Sequence, residues 1–318
     1  MIEDYIMHIK KGHSRSAVAN PLYALEAFLD INDVQINWRK IRRLLPAQAK
    51  KAGKHAWSTK DIQKILAHTT DLRAKALIHF LASTGVRIGA ITDIKIKHVK
   101  NRSDNCKSIC VYADDKEEYH TFLTPEASQY LDRYIEKRRA DGENLNDDSP
   151  LFRTSYMIGI SPVKTLSQDA MENIIYRILC RIGMRGNGNG KRNSVAIHHG
   201  FRKRFNTIMK TTPGINPHLV EKMMGHSTTI PLDDAYLDSS IDQLFEEFKK
   251  AIPSLVIDDS ERHRLEVEKA EKKTTKLQEK VHEINKLKQK VYEFESFKED
   301  MRQEFKEMIK DLKSQSKE

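Results

Sequence analysis

From Asp259 to the C-terminus the chain holds neither proline nor glycine. Positions 277, 280, 284, 287, 291, 294, 298, 301, 305, 308 and 312 alternate steps of three and four, and nine of these eleven are apolar. An unbroken backbone with an apolar seam at that period forms a long helix whose stripe seeks another helix. The sequence therefore predicts a helical coiled-coil tail over residues 256–318. Lys280 and Lys298 interrupt the seam and leave the number of strands open. The competing arrangement is a single helix folded back on the core.

The 318 residues leave room for two further domains or so ahead of the tail. Lysine and arginine outnumber aspartate and glutamate by 55 to 45, a net charge of +10. That balance favours a polyanionic partner, nucleic acid or an anionic membrane surface, over a merely solvated basic surface only when position supports it. No apolar run is long enough to span a bilayer, and MIEDYIMHIKKGHSRS lacks the layout of a signal peptide. Cys106, Cys110 and Cys180 show no paired metal spacing and read as reduced core thiols, which fits a cytoplasmic protein.

Residues 1–52 read as a short helical, basic module. Tyr23, Leu25, Phe28 and Leu29 after Pro21 suggest one apolar face, and Trp38, Ile41, Leu44 and Leu45 a second. Lys40, Arg42 and Arg43 interleave with the second stripe, and Lys50, Lys51 and Lys54 follow it. Cations beside a linker suit DNA phosphates. Residues 53–255 then carry a helix capped by Ser58 or Thr59, an apolar-rich helix over 71–83, and a turn at Thr84-Gly85. Arg87 opens the next helix, where its charge opposes the helix dipole unless an anion is held there. Residues 106–123 alternate as a β-hairpin with Asp114, Asp115 and Lys116 at its tip. Helices follow from Thr124 to about Ala140, and over 168–183, 199–211, 216–224 and 242–250. GMRGNGNGKRN lacks the spacing of a phosphate-cradling loop and reads as a connector. The predicted fold class is mainly α with a small antiparallel β-sheet, α+β.

The chemistry concentrates in residues 195–238. His199 lies three residues before Arg202; His226 follows Gly225; Tyr236 comes ten residues later. Arginine presents a planar fork to phosphate, histidine moves protons near neutral pH, and a tyrosine hydroxyl can act as a covalent nucleophile.

Taken in order, these pieces resemble the tyrosine recombinase (phage integrase) family. TGVRIGAITDIKIKHV is similar to its first arginine box, HHGFRKRF to its His-x-x-Arg box, MMGHST to its Gly-His element, and DDAYLD carries a tyrosine where the family places its nucleophile. KEEYHTFLTPEA resembles its lysine hairpin, and the match spans about residues 55–245. Lys203, where many members have histidine, and the C-terminal heptads point to an archaeal or archaeal-virus member.

The resemblance implies a site-specific DNA recombinase or integrase working through a 3′-phosphotyrosyl intermediate, with no metal or other cofactor. It makes Tyr236 the nucleophile and gives Arg87 and Arg202 the grip on the phosphate. Lys116 becomes the acid for the leaving oxygen in preference to Lys107, His199 the base or relay, and His226 a donor to the phosphate. Lys203 and Arg204 join Lys40, Arg42, Arg43, Lys50, Lys51 and Lys54 as DNA contacts. The implied partner is double-stranded DNA, with a homo-tetramer assembled on it; the coiled coil serves self-association or a partner protein, with no membrane. The alternatives are a type IB topoisomerase-like relaxing enzyme and a non-catalytic coiled-coil DNA-binding protein.

Overall fold

The computed structural model describes residues 2–47, 55–156, 163–185, 195–226 and 240–315. Tyr236, Lys50, Lys51 and Lys54 lie outside the described residues, as does most of the glycine-rich connector. The chain divides into two units: Met1–His55 with Gly186–Ala196, and Ala56–Arg185 with Ile197–Glu318.

The first unit holds α1 (Ile2–Ile9), α2 (Arg15–Ile31) and α3 (Trp38–Arg42). Ser14 caps α2 by accepting from the Ala17 N–H at 3.3 Å. Ile6, Val18, Leu22 and Ile41 form its core, with Trp38, Leu44 and Leu45 packed around them, so the second stripe faces inward as expected. The first stripe splits, with Leu25 and Leu29 half-buried. Tyr23 and Phe28 stand 56% and 62% exposed, while Val18, Ala19 and Leu22 are buried. Pro21 lies inside α2 rather than before it, so the helix takes its phase from Val18 and Leu22. Tyr23, one residue past Leu22, is turned about 100° away.

In the second unit Ser58 and Asp61 form a capping box that starts α4 (Thr59–Ala67), and Asp71 caps α5 (Leu72–Thr84). From Ala76 to Thr84 every side chain of α5 is buried, as in a helix enclosed on all sides. It packs against α6 (Pro125–Ala140), α8 (Ile197–Thr211) and the sheet. The sheet is antiparallel in the order β1-β2-β3: Val99–Asn101, Lys107–Val111 and Tyr119–Leu123. β2 and β3 are the predicted hairpin, with Cys110 opposite His120. β1 was not foreseen, because three residues carry no readable alternation.

The remaining helices among the described residues are α7 (Gln168–Arg181), α9 (Pro217–Met223), α10 (Ile241–Leu255) and α11 (Asp259–Gln315). Phe122 of β3 meets Phe245 and Phe248 of α10 at ring-centroid distances of 5.2 and 5.4 Å, inside a core that also takes Phe205, Met209, Val220 and Met223. Each such fully buried side chain contributes about 1.5–3 kcal/mol. The architecture is the predicted one, mainly helical around a small antiparallel sheet.

α11 is rooted where it leaves the core. Glu126 accepts from the N–H groups of Ile257 and Asp258 at 2.8 and 3.1 Å, and Leu265 packs on the core. Burial raises the Glu126 carboxyl above its ordinary value, and these two backbone donors offset only part of the rise. Beyond the root, Ile284, Leu287, Val291 and Phe294 are exposed, so the tail is not folded back on the core.

Candidate active site

A cleft of about 600 Å³ opens between the hairpin tip and the end of α9, lined among others by Arg87, Lys116, Tyr119, Lys222, Gly225 and His226. Distant stretches of sequence supply these groups.

α5 ends at Gly85, and the chain then enters a 3-10 helix, Ile88–Asp93, with Arg87 at its N-cap rather than inside an α-helix. Arg87 is exposed and donates from Nη1 to the Gly225 carbonyl at 3.1 Å. Arg202 of α8 is only 8% exposed. Its Nη1 donates to the Gly85 carbonyl at 2.8 Å and its Nη2 to the Met224 carbonyl at 2.7 Å. A charge buried this far needs such partners to persist. Both arginines, 115 residues apart in the chain, therefore close on one backbone segment, Met224–Gly225.

His226 joins them. Its Nε2 lies 2.7 Å from Arg202 Nη2, and its Nδ1 bonds the Glu221 carboxylate. This network assigns the proton to Nδ1 and leaves Nε2 accepting from Arg202. Both ring nitrogens are thus engaged within the protein, and the expected donation from His226 to a phosphate requires one of these contacts to be released. Burial works to raise the Glu221 carboxyl, but Lys210 and His226 as donors hold it below the usual carboxylate range.

Tyr119 of β3 forms the wall beneath. Burial pushes its phenol up to about 12, with the Arg202 and Arg87 charges pulling the other way. Its ring lies against Gly225, where an added Cβ would stand 2.4 Å from Cε1. Protonated and enclosed, it is a wall rather than a nucleophile.

His199 is exposed on α8, one turn before Arg202, with its ring centroid 4.5 Å from that of His198. Burial lowers its value, and the His198, Arg202 and Lys203 charges lower it further. The ring is thus held neutral and able to accept a proton. Lys116 sits exposed at the hairpin tip, where Glu118 accepts from the Asp114 N–H at 2.9 Å. Lys107, the competing lysine, is tied to Asn101 at 2.7 Å and Asp132 at 3.0 Å and does not line the cleft.

The predicted DNA contacts divide. Lys40, Arg42 and Arg43 are exposed, with Lys40 paired to Glu3 at 2.9 Å and Arg42 to Glu26. Lys203 is half-buried. Arg204 is a correction: it is 3% exposed, and its Nη2 reaches Thr59 Oγ1, the Ser254 carbonyl and the Leu255 carbonyl at 3.2, 3.3 and 3.1 Å. Burial, then the Arg262 charge, lowers its value to about 10. It ties α8 to α4 and α10 and has no donor fork facing outward, because two residues along a helix turn a side chain about 200° away.

The sequence reading missed Tyr119, Glu221 and Lys222. The spacing of Glu221 five residues before His226 was the available signal, and only the turn after α9 folds it into a contact. Among the described residues, Cys110, Glu118 and His120 bring donor atoms within 4.8 Å of one another. Burial, with Glu118 beside it, pushes the Cys110 thiol up to about 11, and burial, helped by the Arg102 and Lys100 charges and opposed by Glu118, lowers His120.

Comparison with known proteins places this geometry. The model of the Phage integrase family matches residues 55–241, more than half of the chain. Tyrosine recombinase XerC of Lactobacillus leichmannii is 21% identical over 182 residues, 57% of this chain and 56% of that protein, so the match spans little more than half of its length. A XerH site-specific recombinase bound to difH substrate, in a pre-cleavage complex, is similar with a TM-score of 0.51 and 17% identity, over 74% of this chain and 68% of that one. The Tn1549 transposon integrase in complex with a circular intermediate DNA gives 0.53 and 16%, over 78% and 84%. At these identities the two structures establish the shared fold. The match across residues 55–241 establishes the lineage: the chain belongs to the phage integrase family.

Proposed function

We propose that this chain is a metal-independent, tyrosine-type site-specific DNA recombinase. One observation carries the reading: Arg87 and Arg202 converge on Met224–Gly225 beside His226, and Lys116 lines the same cleft. A phosphodiester resists attack because it is anionic and its leaving alkoxide is poor. Arg87 and Arg202 meet the charge developing on the non-bridging oxygens. Tyr236, ten residues after His226 and within the matched segment, attacks phosphorus through its phenolic oxygen. His199, neutral in this setting, takes the phenolic proton. The P–O5′ bond breaks, and Lys116 protonates the departing oxygen. A 3′-phosphotyrosyl link and a free 5′-hydroxyl result. The reverse step joins another strand's 5′-hydroxyl to the same phosphorus and frees the tyrosine.

Exchange between two duplexes brings four such sites together, and we assign a homo-tetramer on DNA. Residues 1–52, with Lys40, Arg42 and Arg43, form the accessory DNA-binding module, residues 53–255 the catalytic domain, and the tail from 256 joins protomers or recruits a partner protein.

The experiment is a nicked suicide duplex carrying DNA that flanks the gene. A denaturant-stable protein–DNA adduct forms, and Tyr236→Phe abolishes it. Binding without an adduct rejects catalysis; relaxation of plasmids lacking the flanking site moves the chain to the topoisomerase class.

A further inference from the structure

α11 carries an apolar stripe that, among the described residues, nothing in its own chain covers. Ile284, Leu287, Val291, Phe294, Met301 and Phe305 recur at the a and d positions of a heptad, and each is roughly half exposed or more. The charges flanking the central part of this stripe identify what covers it. Glu283 and Lys290 precede the a positions Ile284 and Val291, and Lys288 and Glu295 follow the d positions Leu287 and Phe294. Among the described residues none of these four is ion-paired within its own helix.

We infer that the tail pairs with the tail of a second copy of this chain, parallel and in register. In that arrangement each g residue faces the e residue five positions on in the other helix. Glu283 then meets Lys288 of the second copy, and Lys290 meets Glu295, with both pairs repeated by the two-fold axis. Both charged pairings are opposite in sign. Lys298 at an a position and Lys280 at a d position interrupt the seam, and a two-helix seam accommodates both because each lysine stem can leave it and bring its ammonium to water. Two protomers are thereby joined through their C-termini before DNA is met, which supplies half of the proposed tetramer without any contact at the cleft.

The full chain without DNA is measured by sedimentation equilibrium. The expected mass is twice the 36.8 kDa of one chain. Glu283→Lys and Lys288→Glu, each alone, weaken the dimer about fivefold, and the two together restore it to within about twofold, because the swapped charges pair again across the interface. Circular dichroism reports whether each variant keeps its helix. Leu277→Cys forms a disulfide-linked dimer absent from the unsubstituted chain, since only parallel, in-register helices bring the two thiols within disulfide reach. A monomer, a trimer or larger species, a dimer that needs another protein, no recovery in the double variant, or no crosslink at 277 each overturns the inference. Tyr236→Phe dimerises as the unsubstituted chain does, so this result and that of the strand-cleavage test fail separately.

Discussion

Replacing Gly225 by alanine tests how tightly the cleft is built. The residue sits at φ +59 between the carbonyl that Arg202 holds and the imidazole of His226. Two costs are separable. A left-handed backbone costs a non-glycine residue about 1–2 kcal/mol. The added Cβ would also lie 2.4 and 2.5 Å from Tyr119 Cε1 and Cδ1, where ordinary contact begins at 3.4 Å. About 1 Å of movement is needed, from a buried ring or from the backbone that Arg87 and Arg202 grip. Overpacking of that size costs about 1–3 kcal/mol. The sum is about 2–5 kcal/mol.

Gly142 supplies the control. It has φ +84 and nothing within 4 Å of an added Cβ, so Gly142→Ala carries the backbone cost alone. Urea unfolding of the two variants reads the difference as the steric contribution. Adduct formation reads the site: a shift of about 1 Å in the phosphate-gripping groups slows cleavage on the order of 100-fold in Gly225→Ala, while Gly142→Ala cleaves normally. Equal destabilisation of the two variants, with Gly225→Ala cleaving at the unsubstituted rate, refutes the argument that Tyr119 and Gly225 fix the arginines.

Two other predictions concern charge. Arg204→Ala loses about 2–3 kcal/mol of stability, because carbonyls at 254 and 255 lose a charged donor in a buried setting; Lys203→Ala instead lowers DNA affinity and reduces its salt dependence by about one phosphate contact with stability unchanged. Denaturation curves and binding isotherms at two salt concentrations read both, and the reverse pattern would return Arg204 to the DNA surface. The pH profile of cleavage follows His199: a base must be neutral, and its value is lowered from 6.5, so activity is retained below pH 6.5 and falls only as pH drops through the lowered value. His199→Gln removes that acidic limb, and a limb centred above 6.5 in the unsubstituted enzyme sinks the assignment.

The order of elements was legible because local rules govern it. Thr124-Pro125 starts α6, Ser58 starts α4 and the breaker-free tail forms α11, all near their predicted positions. Caps and breakers act within a turn of the chain, so they survive any tertiary context. Periodicity was less secure where Pro21 masked the true start of α2 and shifted its apolar face.

What the sequence determined by itself was the set of reactive groups and their spacing: His199 and Arg202 one turn apart, His226 after a glycine, Lys116 at a hairpin tip. What only tertiary structure decided was the environment of each charge. Arg202 and Arg204 are two residues apart on one helix, yet the first holds the Gly85 and Met224 carbonyls beside His226 and the second the Ser254 and Leu255 carbonyls of α10. Helical spacing says that they face different ways but not which way the neighbouring elements lie. A guanidinium binds phosphate or holds backbone according to what stands opposite it, and that is settled by packing across distant parts of the chain.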